Sequence, residues 1–462
     1  MVNHYHRDEP SVITESNDPE FIEGPFLFLN YFNFYIPMRD IEFKKIILKN
    51  NIRLILVPDS AKQVVTSMIL FGVGSRYEEE KYAGISHVLE HMFYKGSQKR
   101  PTALDVSEFI ENIGGEHNAF TSKEYTGYYT KVAYKHIEKA IDFLSDLVSN
   151  PLFPAEELER EKNVILQEVD MYEDLPMEVA ASNLEKALFG DNALGRDVIG
   201  TKKSIKGVTR EDLVEYRSKF YTGSNTVIVL AGNFNKMTEK EIIDLVEKSF
   251  AVKEGNKSKY PTVKLTLKKA SSVVEKPTEQ SHLLIGFRGC SYEDVDRHKL
   301  RVLALILGGS MSSRMFTEIR EKRGLAYSVH TSSSNYQDTG VIDTYAGVPH
   351  TRLHEAIAAI INEYSRVKLD VTENELMRAK EIIFGRMLIG SEDSSELASM
   401  YAMNELLTGK IMTIKQITEI YEKITIEDVM QVAKKYLVDE RMALSFVGPK
   451  IDKEMLDKVF KI

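Results

Sequence analysis

A stretch in each half of this chain follows one shared pattern, and a repeat of that length restricts the fold to two copies of one unit. Asp212-Leu213-Val214 through Val229-Leu230-Ala231-Gly232 aligns without gaps on Asp428-Val429-Met430 through Ser445-Phe446-Val447-Gly448. Both stretches are entered by Thr-x-Glu-Asp, at Thr209 and Thr425, and both end in an apolar strand stopped by glycine. Glu157-Leu158-x-Arg160-x-Lys162 likewise matches Glu375-Leu376-x-Arg378-x-Lys380 at nearly the same spacing. Two matches at consistent offsets point to duplication.

Local patterns say what each copy contains. Ile46 to Leu48 and Ile52 to Val57 flank the turn Lys49-Asn50-Asn51, and Val64 to Val73 is a third apolar run. Helical periodicity follows from about Ile85 to Tyr94, Ala103 to Ile113, 135 to 149 and 155 to 173, and a strand pair is expected over Glu116 to Ala133. The fold class expected is α+β: two homologous domains from an internal duplication, each a mainly antiparallel sheet packed with helices. The boundaries expected are 38–255 for the first domain, 256–280 for a linker with the entry to a strand, and 281–462 for the second.

With 43% hydrophobic residues in 462, there is ample material for such cores. The 60 basic and 69 acidic residues are interspersed, so no basic face argues for nucleic acid. Cys290 is the only cysteine, which rules out an intramolecular disulfide and metal sites of the CxxC type. No apolar run has the length of a membrane span. Residues 1–37 carry Arg7 alone against six acids and suit neither a signal nor a transit peptide, so a cytoplasmic protein is expected. That stretch reads as a weakly ordered extension or a product of start-site choice, with His4 and His6 as an accidental pair.

Chemistry concentrates at His87-Val88-Leu89-Glu90-His91. On a helix the histidines, at i and i+4, share a face, and Glu90 leans toward the same side. Two imidazoles beside a carboxylate suit Zn²⁺, and a catalytic zinc needs a third protein ligand. Glu161 and Glu168, two turns apart on one predicted helix, are the candidates. Across the repeat they fall on Ala379 and Arg386, and the second half contains no such pentad. The acids vanish from the half that lacks the histidine motif, as expected if they serve one metal. His350 and His354 have the i, i+4 spacing without an acid between them and read as a helix surface.

His87-x-x-Glu90-His91 followed after 76 residues by Glu168 resembles the pitrilysin family of inverted-motif zinc peptidases. The closest likeness is to the short two-domain branch that includes mitochondrial processing peptidase β subunits and bacterial relatives. Gly114-Gly115-x-x-Asn118-Ala119-Phe120-Thr121, Gly309-x-Met311-Ser312-Ser313-Arg314 and Arg320-Glu321-Lys322-Arg323-Gly324-Leu325-Ala326-Tyr327 agree as well. One departure is Asn192-Ala193-Leu194-Gly195, where relatives often carry His-Pro before Leu-Gly; it lies outside the metal set.

The resemblance implies a zinc endopeptidase with one Zn²⁺ per chain, held by His87, His91 and Glu168. Glu90 would be the general base and Glu161 would orient a ligand or its water. Asn118, Ala119 and Phe120 would lie on an edge strand where a peptide or unfolded segment adds as a further strand in a closed chamber. Arg320 and Tyr327 would hold substrate backbone. Arg320 by itself would read as an ordinary helix ion pair. Two domains form half of the family's chamber, so a homodimer or paralogous heterodimer is implied, with Arg320 and Tyr327 serving the partner's zinc. The alternative is a non-catalytic structural or partner subunit. No nucleic acid or membrane partner is implied.

Overall fold

The computed structural model describes residues 41–262, 267–451 and 453–462, so the expectations for residues 1–37 lie outside the described residues. The first sheet contains β1 (Lys44–Ile47), β2 (Arg53–Pro58), β3 (Val64–Phe71), β4 (Glu116–Thr121), β5 (Thr126–Ala133) and β6 (Thr226–Gly232), in the order β1-β2-β6-β3-β5-β4. The second contains β7 (Ala270–Glu275), β8 (Ser281–Arg288), β9 (Ser328–Asn335), β10 (Gly340–Val348) and β11 (Met442–Gly448), in the order β7-β11-β8-β10-β9.

Matching β2, β6, β3, β5 and β4 to β7, β11, β8, β10 and β9 superimposes the two orders. The sense of pairing is also the same. β2 runs parallel to β6 and β7 parallel to β11, while the other shared pairs are antiparallel. Duplication therefore extends to topology, and both sheets are mainly antiparallel. Among the described residues β1 has no counterpart in the second sheet; it is joined to β2 through a turn in which Asn51 has a φ of 65°.

The helices include α1 (Ile85–Phe93), α2 (Ala155–Asp174), α3 (Pro176–Phe189), α4 (Asp296–Gly308), α5 (Glu373–Ser391) and α6 (Ser394–Thr408). Central strands such as β3 are apolar on both faces because both faces are covered. One face of the first sheet packs on α1 and the half's own helices, through residues such as Ile69, Phe71, Val88 and Leu89. The other face, with Ile55, Met68, Leu70 and Val229, is covered by Leu397, Ala398, Tyr401 and Leu406 of α6. That helix belongs by sequence to the second half.

The exchange is reciprocal. Ala180, Leu184 and Leu188 of α3 pack on Leu284, Val341, Tyr345 and Val447 of the second sheet. Between the halves, the fully buried Arg76 pairs with Glu124 and Asp338, each at 2.6 Å, and donates to the Pro261 carbonyl at 3.2 Å. Leu184→Ala is expected to lower unfolding free energy by about 2–5 kcal/mol in a urea titration, as for other buried leucines. A loss below about 1 kcal/mol would show that the exchanged helix does not support the second sheet.

At the repeat positions of the metal candidates the second half is closed. Ala379 is buried in its core, and the Arg386 guanidinium donates to the Gly309 carbonyl at 2.9 Å. The His350 and His354 pair does not sit on one helix as expected. His350 lies in a 3₁₀ turn ahead of the helix, its Nδ1 3.0 Å from Ser281 Oγ and its Nε2 2.9 Å from the Thr278 carbonyl. Among the described residues, no helix is long and apolar enough to cross a membrane.

Candidate metal centre

α1 supplies both imidazoles. Its i, i+4 spacing sets the His87 and His91 rings 4.6 Å apart, tilted by 67°. The rest of its surface is committed to packing, with Ile85, Val88, Leu89, Met92 and Phe93 buried. α2 crosses α1 and brings a carboxylate to the same point, where Glu168 Oε2 stands 3.9 Å from each Nε2. One donor atom from each of the three lies within 4.8 Å of the others.

Glu161, two turns earlier on α2, does not reach that point. Its Oε2 is 3.0 Å from His91 Nδ1 and its Oε1 is 2.6 Å from Lys95 Nζ. Lys95 went unnoticed in the sequence, one turn beyond His91, and it fixes the other oxygen of the carboxylate that orients the ring. His87 has no such support, since its Nδ1 is buried without a partner among the described residues. Packing alone orients that ring. Glu90 points toward β4, where the Thr121 hydroxyl donates to its Oε2.

Burial sets the charge states. It pushes the His87 pKa down to about 4, with the neighbouring His91 adding to the effect, so the ring is neutral at pH 7. Burial also raises Glu90. Thr121 and His91 oppose that rise and Glu168 reinforces it. Glu168 is raised by burial, against the influence of His91. Burial pushes Glu161 upward as well, but its bonds to His91 and Lys95 outweigh that and hold it below the usual carboxylate range.

These residues fit a zinc ion. A neutral imidazole, a second imidazole steered by a carboxylate and an anionic oxygen are the donors a catalytic zinc takes, and three protein ligands leave a coordination position open. Tetrahedral bonds of 2.0–2.1 Å space donor atoms roughly 3.3 Å apart. Small side-chain rotations close the gap from the 3.9 Å found at Glu168.

His87 and Glu168 open into a cleft of about 970 Å³ between the halves, where His87, Glu90, Phe120 and Thr121 face Leu284, Tyr336 and Asp343. Among the described residues β4, carrying Asn118, Ala119 and Phe120, pairs only with β5 and is an edge of its sheet. Arg320 and Tyr327 are elsewhere, and neither lines the cleft. Arg320 lies in a π-helical segment, Phe316–Lys322, its guanidinium 4.7 Å from the Phe316 ring centre and 4.9 Å from that of Tyr327. Its nearest acid is Glu321, at 3.7 Å.

Residues 53–202 match the Insulinase (Peptidase family M16) model and residues 207–383 the Peptidase M16 inactive domain. A Bacillus subtilis protein named uncharacterized zinc protease YmxG is 36% identical over 414 residues, which cover 88% of this chain and 98% of that one. The chain belongs to peptidase family M16. A Streptomyces coelicolor relative, uncharacterized zinc protease SCO5738, is 36% identical over 83% of this chain and 84% of its own length. A protease from Helicobacter pylori of known crystal structure shares the fold, with a TM-score of 0.82 and 21% identity, over 89% of this chain and all of that one. For this M16 chain the two family matches divide as the site does: the first contains His87, His91 and Glu168, and the second contains Ala379.

Proposed function

We propose that the chain is a zinc-dependent endopeptidase that hydrolyses bonds in peptides or unfolded segments laid along β4. The observation carrying the reading is the convergence of His87, His91 and Glu168 beside Glu90, in a cleft bordered by an unpaired strand edge. His87, His91 and Glu168 would hold the metal. When bound, zinc supplies Lewis acidity at the scissile carbonyl and makes water more acidic.

The remaining steps belong to the protein. Backbone N–H and C=O groups of Asn118, Ala119 and Phe120 pair with an extended substrate, which selects chains without tertiary structure. The Thr121 hydroxyl holds Glu90 toward the substrate strand. Glu90, its pKa raised by burial, takes a proton from the attacking water on a carboxylate oxygen and returns it to the leaving amine nitrogen. Seven carboxylates and three lysines line the cleft, and with the two positive charges of a bound zinc the lining would keep a net negative charge, which favours cationic segments.

Arg320 and Tyr327 do not line this chain's cleft and Tyr327 is 77% exposed, which supports a reading in which they serve a second chain. In the proposed assembly two chains face each other, as a homodimer or with a paralogous partner, and each supplies these side chains to the other's substrate. Mixing His87→Ala with Arg320→Ala protein tests this with a quenched cationic peptide. Each variant alone is expected to be nearly inactive. An equal mixture should recover about a quarter of wild-type activity, since random pairing gives half mixed dimers with one intact site each. Mixed dimers that form without recovery would rule out the shared site, and a wild-type chain that cleaves no peptide with zinc bound would rule out the peptidase.

A further inference from the structure

The metal-binding helix has no side-chain cap of its own, a lack it shares with α2 and α3. Thr102, Thr201, Thr209, Thr238, Thr372, Thr413 and Thr425 each cap a helix with their own side chain. α1 has Gly84 at that position, with a φ of 93° and no side chain to offer. The glycine is required sterically, because a Cβ there would meet the Ile199 carbonyl oxygen at 2.4 Å. The first N–H groups of the helix therefore need acceptors from elsewhere.

They find them on Glu78. Its Oε2 accepts the Gly84 N–H at 2.7 Å and its Oε1 accepts the Ser86 N–H at 2.8 Å. The carboxylate is buried, and Arg196 holds the same residue by donating to its backbone carbonyl at 2.7 Å. Ser86 is fixed a second time by its hydroxyl, 2.8 Å from Tyr216 Oη. One peptide bond separates Ser86 from His87.

We infer that Glu78 is a positioning residue, which sets where α1 lies and so how His87 and His91 meet Glu168. The donors come from two helices, so the distance between α1 and α2 decides whether three or fewer can act together. At the far end of α1, Glu161 and Lys95 tie it to α2. At the near end Glu78 and the bond from Ser86 to Tyr216 are the ties, and cutting Glu78 lets that end of α1 shift. Burial raises the Glu78 carboxyl to about 7, opposed by the bonds from Ser86 and Gly84 and by Arg196.

The inference rests on the zinc peptidase reading in its kinetic part only, because metal affinity is measured separately. In full-length Glu78→Gln, the amide keeps the volume but turns a donor toward one of the two N–H groups. Zinc affinity by chelator competition is expected to weaken about 10- to 100-fold, the range for outer contacts to a metal site. The kcat should fall about tenfold or more with KM within about twofold, a split expected when the reacting groups and not substrate binding are disturbed. A purely structural role would lower the melting temperature and leave zinc affinity and kcat within about twofold of wild type, and that outcome overturns the inference. Should Glu78→Gln fail to fold, Arg196→Gln decides the matter, with a weaker form of the same signature expected and unchanged zinc affinity and kcat contradicting it. If the wild-type protein binds zinc and cleaves nothing, the peptidase reading fails while the affinity comparison still tests Glu78.

Discussion

Glu90→Gln is expected to lower kcat by about 10²- to 10⁴-fold while the protein keeps one zinc per chain. The substitution preserves volume, and the amide oxygen can still accept the Thr121 hydroxyl bond found here. It removes only the capacity to take up and return a proton. Since His87, His91 and Glu168 converge without Glu90, metal content should not change. Zinc quantification and peptide cleavage on one preparation separate the two effects. Retained cleavage would remove Glu90 from the chemistry, and lost zinc would make it part of the metal site.

Glu168→Ala should act in the opposite order. Its carboxylate is what α2 adds to the two imidazoles of α1, so its loss leaves a two-histidine site open to solvent. Zinc affinity is expected to fall by at least about 100-fold, beyond the 10- to 100-fold typical of an outer contact such as Glu161. Cleavage should disappear with the metal. In the wild-type protein, removal of zinc by a chelator should abolish cleavage and readdition restore it. At the repeat position the second half carries Arg386, whose guanidinium donates to the Gly309 carbonyl.

The duplication was legible because each copy repeats its strand and helix patterns in the same order, and both sheets have the expected pairing. The exchange of α3 and α6 was not. An amphipathic helix reads identically whichever sheet it covers, and periodicity says nothing about which half that sheet belongs to.

Within the site, the spacing of Glu161 and Glu168 placed both on the side of α2 that faces α1. It left open which one reaches the histidine Nε2 atoms and which one reaches Nδ1 of His91, a difference of reach settled by the crossing of the two helices. Lys95 and Glu78 were hidden for another reason. Their partners are a side chain on another helix and two backbone N–H groups beyond a turn, and a lone lysine or glutamate carries no mark of either. The π-helical segment around Arg320 was equally silent, because its sequence reads as an ordinary amphipathic turn.

The most direct test of the whole account is anomalous diffraction from crystals of the zinc-loaded protein, measured on both sides of the zinc absorption edge. The account predicts one peak per chain, bounded by His87 Nε2, His91 Nε2 and the Glu168 carboxylate, and none in the second half. A zinc peak held by other residues, with that triad empty, would contradict it.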